Sequence, residues 1–303
     1  MQVAGLSEGA LVGLIGGPPC QGFSTIGHRR VCDDRNNLFV KFFSLVRDCK
    51  PAFFVAENVM GILDPTYDSV REAAFSLVSG KYDIITIPII ASDYGAPTSR
   101  KRVFFIGHRK DISIELSAED FTQFKSAATP TVAEALDGLP ARIHDTWIQE
   151  EKGWRKALPP KHAKFAEHMT CSIAGIGDTE ALEKYKSGLV SGCLGTRHSD
   201  KLRLRYHALG PGEQDPITKS VRLRPNGLCP TLRAGTGSDR GSFQAVRPIH
   251  PTIARVITPR EAARLQGFPD WFRFCVKIVS PIPRIKRSHL EWQIYFLQLS
   301  AHK

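Results

Sequence analysis

The chain has 303 residues, 42% hydrophobic and 23% charged, and 41 Lys and Arg against 30 Asp and Glu give it a net charge of +11. That balance suits a globular chain with a buried core and excludes a low-complexity one, while its basicity predicts a polyanionic partner, nucleic acid ahead of an anionic membrane surface. Seven dispersed cysteines without a Cys-x-x-Cys pair argue against a disulfide framework and against any metal site, and the absence of a leader or long apolar run predicts a soluble, cytoplasmic protein with no membrane partner.

Leu11 to Ile15 predicts a short buried strand, followed by a loop stiffened by Pro18 and Pro19. Leu38, Phe39, Phe42, Phe43 and Val46 share a helical face over 37–47. Ala52 to Ala56 reads as a buried strand ending at Glu57 and Asn58, 67–78 as a helix, and 84–90 and 103–106 as further strands. This alternation predicts an α/β fold with a parallel or mixed sheet, whose ligands bind beyond the carboxyl ends of the strands. From about residue 111 the alternation stops, which marks a second, smaller domain. Within it Lys201, Arg203 and Arg205 alternate with Leu202 and Leu204, so a strand is predicted with three cations on one face, close to Arg197, His198 and His207. Such an edge suits a phosphate backbone. Thr258, Pro259 and Glu261 predict a capped helix start, with Ala262, Leu265 and Phe268 packing inward.

Gly16-Gly17-Pro18-Pro19-Cys20-Gln21-Gly22-Phe23-Ser24 resembles the nucleophile motif of the DNA cytosine-C5 methyltransferases. Glu57-Asn58-Val59 resembles the family's Glu-Asn-Val motif. Thr98-Ser99-Arg100-Lys101-Arg102 resembles its Gln-x-Arg-x-Arg motif, with Thr98 where Gln is usual. Asp34 to Leu38, Arg224-Pro225, Pro230-Thr231-Leu232 and Arg260 to Pro269 match further blocks in the family's order.

The resemblance implies a Rossmann-like methyltransferase sheet with a target-recognition domain. It also implies methyl transfer from S-adenosylmethionine to C5 of a cytosine flipped out of double-stranded DNA. C5 is a poor nucleophile, and a thiolate adding to C6 makes it enamine-like. Cys20 is then the nucleophile and Glu57 the partner of N3, acting with a raised pKa or a shared proton. Arg100 and Arg102 position the base. Pro18 and Pro19 floor the cofactor site, while Asn58, Ser24, Lys201, Arg203 and Arg205 contact DNA.

The domain expectation is a partial catalytic domain over 1–110, target recognition over 111–250, a return segment over 251–275 and an aberrant tail over 276–303. The family's glycine loop before the nucleophile strand and its Gly-Asn segment after Phe272 have no counterpart in the sequence. An incomplete sheet and little activity in isolation are therefore expected, with a complementing chain as a candidate partner. The alternatives are a DNA-binding remnant, half of a split enzyme, and a thiol redox protein. The last suffers from the lack of a resolving cysteine within a few residues of Cys20.

Overall fold

The computed structural model describes residues 11–18, 37–113, 115–148, 153–171, 177–232 and 247–273. These fall into two compact units, the first within Met1–Tyr94 and Arg100–Ser126, the second within Gly95–Ser99 and Ala127–Lys303. Cys20, with Pro19, Ser24, Cys32 and the segment 34–36, lies outside the described residues, as do 233–246 and 274–303.

In chain order the first unit contains β1 (Gly13–Gly16), α1 (Asn37–Cys49), β2 (Phe53–Asn58), α2 (Asp68–Ser76), β3 (Tyr82–Ile90), β4 (Lys101–Arg109) and α3 (Glu119–Thr122). The strands form one sheet in the order β1-β2-β4-β3. β1 is parallel to β2, and β4 is antiparallel to both β2 and β3, so the sheet is mixed. The helical spacing along α1 is realised, since Phe39, Phe42, Phe43, Val46 and Cys49 are buried. Lys50, in the left-handed region at φ 48, ends that helix. Phe54 and Ala56 alternate inward from β2 to meet α1, and Phe43 and Phe54 lie edge to face with centroids 5.3 Å apart. Phe105 adds an edge-on contact to Phe39, and the buried Tyr82 hydroxyl donates to the Pro51 carbonyl at 2.6 Å. The expectation of a buried strand at Leu11–Ile15 needs correction. Val12 is 63% and Ile15 46% exposed, because among the described residues β1 pairs only with β2.

The second unit is built from α4 (Val132–Leu136), β5 (Arg155–Lys156), α5 (Ala163–Thr170), α6 (Thr179–Lys186), β6 (Leu189–Val190), α7 (Asp200–Ala208) and α8 (Pro259–Leu265), with β5 and β6 paired antiparallel. Val132, Phe165, Met169, Leu223, Cys229, Ile257 and Leu265 make its main core. α8 begins as expected: Thr258 and Glu261 form a reciprocal capping box, with Pro259 at the start. Ala262 and Leu265 are buried, whereas Phe268 is only partly so.

The strand expected over Lys201–Arg205 is a helix. Ser199 caps α7 by accepting from Leu202 N–H at 3.3 Å, and Asp200 opens the first turn. The inward residues are Leu202, Tyr206 and Leu209, a helical spacing, while Leu204 is 72% exposed. Over five residues the basic–apolar alternation mimicked a strand period, and the cap decided otherwise. The three cations therefore do not share a face.

Candidate active site

Glu57 stands near the carboxyl end of β2, directly across from Phe104 of β4. Arg100, Arg102 and Phe104 are two residues apart in turn, so an extended backbone sends Arg100 and Arg102 to the side of the sheet that Glu57 occupies. This gives a physical reason for the Arg-x-Arg spacing. Arg102 Nε lies 2.6 Å from Glu57 Oε1, and Arg100 Nη2 lies 3.2 Å from the same oxygen. The three side chains are 32%, 18% and 32% exposed for Glu57, Arg102 and Arg100, so the cluster is open on one side. Two cations on Oε1 fix the direction of the carboxylate and leave Oε2 for a further contact.

Oε2 looks toward the end of β1. A Cβ on Gly17 would stand 3.3 Å from it, so only glycine leaves that approach clear. The parallel register, Gly16 opposite Ala56, brings both strand ends to the same edge, and Pro18 is buried just beyond. Cys20 is three residues after Gly17 in the sequence. Asn58 is 1% exposed; its Oδ1 accepts from Val59 N–H at 2.9 Å, and its buried Nδ2 finds no partner among the described residues.

Thr98, which replaces the usual Gln, is 1% exposed, and its hydroxyl donates to the Cys229 carbonyl at 3.0 Å. Ser99 N–H donates to that same carbonyl at 2.9 Å, so the segment 97–99 is tied to the one preceding Pro230-Thr231-Leu232. Sequence reading missed this role, which joins residues 131 apart and carries no local signal. Among the described cysteines, burial pushes the thiols of Cys193 and Cys229 up to about 12, which makes them inert packing groups. Cys49 is buried at the end of α1, as expected of a packing residue.

Lys201 and Arg203 are exposed on α7, but Arg205 is otherwise engaged. Its Nε and Nη2 donate to Asp215 at 2.9 and 3.2 Å, and Asp215 also accepts from Thr218 N–H and Oγ1. Arg205 thus braces a turn. That pairing holds the buried Asp215 carboxyl well below the usual carboxylate range. No cluster of three or more metal-ligating side chains occurs among the described residues, and none of their helices is long and apolar enough to cross a membrane.

Comparison with known proteins gives a consistent picture. The profile of the C-5 cytosine-specific DNA methylase family matches residues 5–285. The type II methyltransferase M.XorII of Xanthomonas oryzae is 37% identical over 278 residues, covering 90% of this chain and 63% of the relative. M.DdeI of Desulfomicrobium norvegicum is 32% identical, covering 94% of this chain and 67% of the relative. A crystal structure described as a DNA modification methyltransferase encoded within an E. coli prophage superposes with a TM-score of 0.74 at 48% identity, covering 88% of this chain and 71% of that one. The chain thus spans about two thirds of the length of these relatives, and its α/β fold is the Rossmann-like methyltransferase fold.

Proposed function

Since the chain belongs to the C-5 cytosine-specific DNA methylase family, we propose that it carries the catalytic and target-recognition parts of a DNA cytosine-C5 methyltransferase acting on duplex DNA. The observation that carries this reading is the Glu57–Arg100–Arg102 cluster beside Gly17, where the nucleophile segment leaves β1. Three residues of chain reach at most about 11 Å, so Cys20 and Glu57 can act on one base.

The Cys20 thiolate adds to C6 of the flipped cytosine, and the electron pair moves toward N3, where Glu57 meets the developing charge. Arg102 and Arg100 hold Glu57 in that orientation. C5 then attacks the methyl group, its proton leaves to a base, and the Cys20–C6 bond breaks. S-adenosylmethionine supplies the methyl group when bound. Pro18 is buried and Pro19 is outside the described residues, so these two do not by themselves make a cofactor site, and no step is routed through it. In this reading the first unit holds the chemistry and the second, with exposed Lys201 and Arg203, reads the DNA.

Covalent capture tests this. The chain is mixed with S-adenosylmethionine and a duplex carrying 5-fluorocytosine, whose C5 has no proton to lose. A second arm adds a complementing polypeptide equivalent to the third of M.XorII that lies outside the match. We expect an adduct in at least one arm, lost in Cys20→Ser and slowed about a hundredfold or more in Glu57→Gln. Capture that survives Cys20→Ser overturns the assignment. Retention of DNA without capture in either arm favours a binding remnant.

A further inference from the structure

Inside the second unit, His198 carries an unanswered donor. Its Nε2 accepts from Val256 N–H at 3.2 Å, and its ring packs edge-on against Tyr206 with centroids 5.5 Å apart. A neutral imidazole that accepts at one nitrogen carries its proton on the other, so the N–H is on Nδ1. That atom is buried and has no partner among the described residues. Buried N–H groups left unpaired are rare, because desolvation is then uncompensated.

The surroundings define what the missing acceptor is. Burial first, and then the charges of Arg247, Arg203 and Arg255, push the His198 ring toward its neutral form, and no carboxylate offsets them there. Arg255 is committed to Glu261, with contacts of 2.8 and 2.6 Å. Arg247 has no carboxylate partner among the described residues, and both it and Arg203 are exposed. Arg197 and Lys201, on either side of the α7 cap, are exposed as well, with Asp200 the acidic group between them. An acceptor that is both anionic and able to reach several donors at once is called for, and a tetrahedral phosphate meets this need.

We infer that His198, Arg247 and Arg203 form a binding site for a phosphate group, with a backbone phosphodiester of DNA as its source. The choice of source rests on the proposed function; the site itself does not. His198 supplies a fixed, uncharged donor, and the guanidiniums supply the charge. The packing of the ring against Tyr206 and Val256 N–H holds the donor in place before the ligand arrives.

The test observes the histidine ring directly in the full chain, so it needs no methyl transfer. With ¹⁵N-labelled histidine, a short duplex is expected to shift the His198 Nδ1–H signal and slow its exchange with water. Arg247→Gln should weaken duplex binding about five- to tenfold at 0.1 M salt and lower the log–log salt slope by roughly one. His198→Asn, which keeps a donor near the same place, should bind within about twofold of the parent chain, while His198→Phe should lose as much as Arg247→Gln. Arg247→Gln lies at an exposed position, so its result stands even if His198→Phe fails to fold. A second arm replaces the duplex with inorganic phosphate. A signal moved by phosphate and untouched by duplex overturns the DNA source and leaves the methyl-transfer reading intact. A signal moved by neither probe, or a salt slope unchanged in Arg247→Gln, overturns the site.

Discussion

In the first unit the largest fully buried side chains are Tyr67, Phe39, Phe43, Phe54, Phe105 and Ile62; in the second, Arg260 and Arg264 lead, ahead of Tyr206, Met169 and Leu223. The first unit is held by rings stacked between α1, α2 and the sheet. The second buries cations and gives each a set of oxygens. Arg264 reaches Asp270 through two bonds of 2.8 and 2.7 Å, and donates to the carbonyls of Asp137 and Leu158. Arg260 meets no carboxylate; the Ser191 carbonyl and hydroxyl and the Pro269 and Phe272 carbonyls receive its five N–H groups. Burial accordingly pushes that guanidinium down to about 10. Area burial needs only the right volume, whereas buried charge needs every partner in place. Long loops with little regular structure can be made rigid in the second way, because the guanidinium fork ties carbonyls from segments far apart in sequence.

The sharpest way to break this comparison is at Arg264. Replacing it with Ala leaves Asp270 charged and buried, and should cost about 3–5 kcal/mol. Denaturant unfolding followed by the fluorescence of Trp147, Trp154 and Trp271, all in the second unit, measures it. The double replacement Arg264→Met with Asp270→Leu should recover less than half of the loss, because the carbonyls that Arg264 serves stay unpaired. Full recovery would show that those carbonyls find other donors.

A pH titration separates the units next. Burial pushes the His250 imidazole down to about 4, and its Nδ1 accepts from Thr252 N–H and Ile253 N–H. Between pH 4 and the ordinary histidine value near 6.5, the unfolded chain binds a proton that the folded chain does not. Stability is thus fully present above about pH 6.5 and falls by about 3 kcal/mol as pH drops to about 4. The Asp215 carboxyl acts in the same direction at lower pH: its depressed folded value means that its contribution begins to fade below about pH 4. His250→Gln should flatten the upper window. A second unit that keeps its stability between pH 6.5 and 4 would contradict a buried neutral His250.

The first unit is tested most finely at Gly107 on β4. A Cβ there would lie 2.2 Å from Cε1 of Phe54, whose ring is already packed by Phe42, Phe43 and Tyr82. Gly107→Ala should cost about 1–3 kcal/mol through overpacking, read as a lowered urea midpoint. Pairing it with Phe54→Leu should remove part of the penalty; an additive pair would mean that the ring moves aside freely.

The helix at 37–49, the strands around residues 54, 86 and 105, the capped start of α8 and the ordered motifs were legible because each is written within a few residues. Period, cap and motif are local properties, and a single chain displays them. The alternation at Lys201–Arg205 misled because five residues do not separate a period of 2 from one of 3.6 when a cap precedes them.

The sequence alone determined the aromatic face of α1, the α/β class, the family and the identity of Glu57, Arg100 and Arg102 as a set. Only the tertiary structure decided that both arginines meet one oxygen of Glu57, that Thr98 bolts itself to Cys229, that Arg205 serves Asp215, and that His198 keeps an unpaired N–H. Each of these depends on which distant segments share a neighbourhood. Pairings across 10 to more than 100 residues are set by the packing of the whole unit, and no local period encodes them.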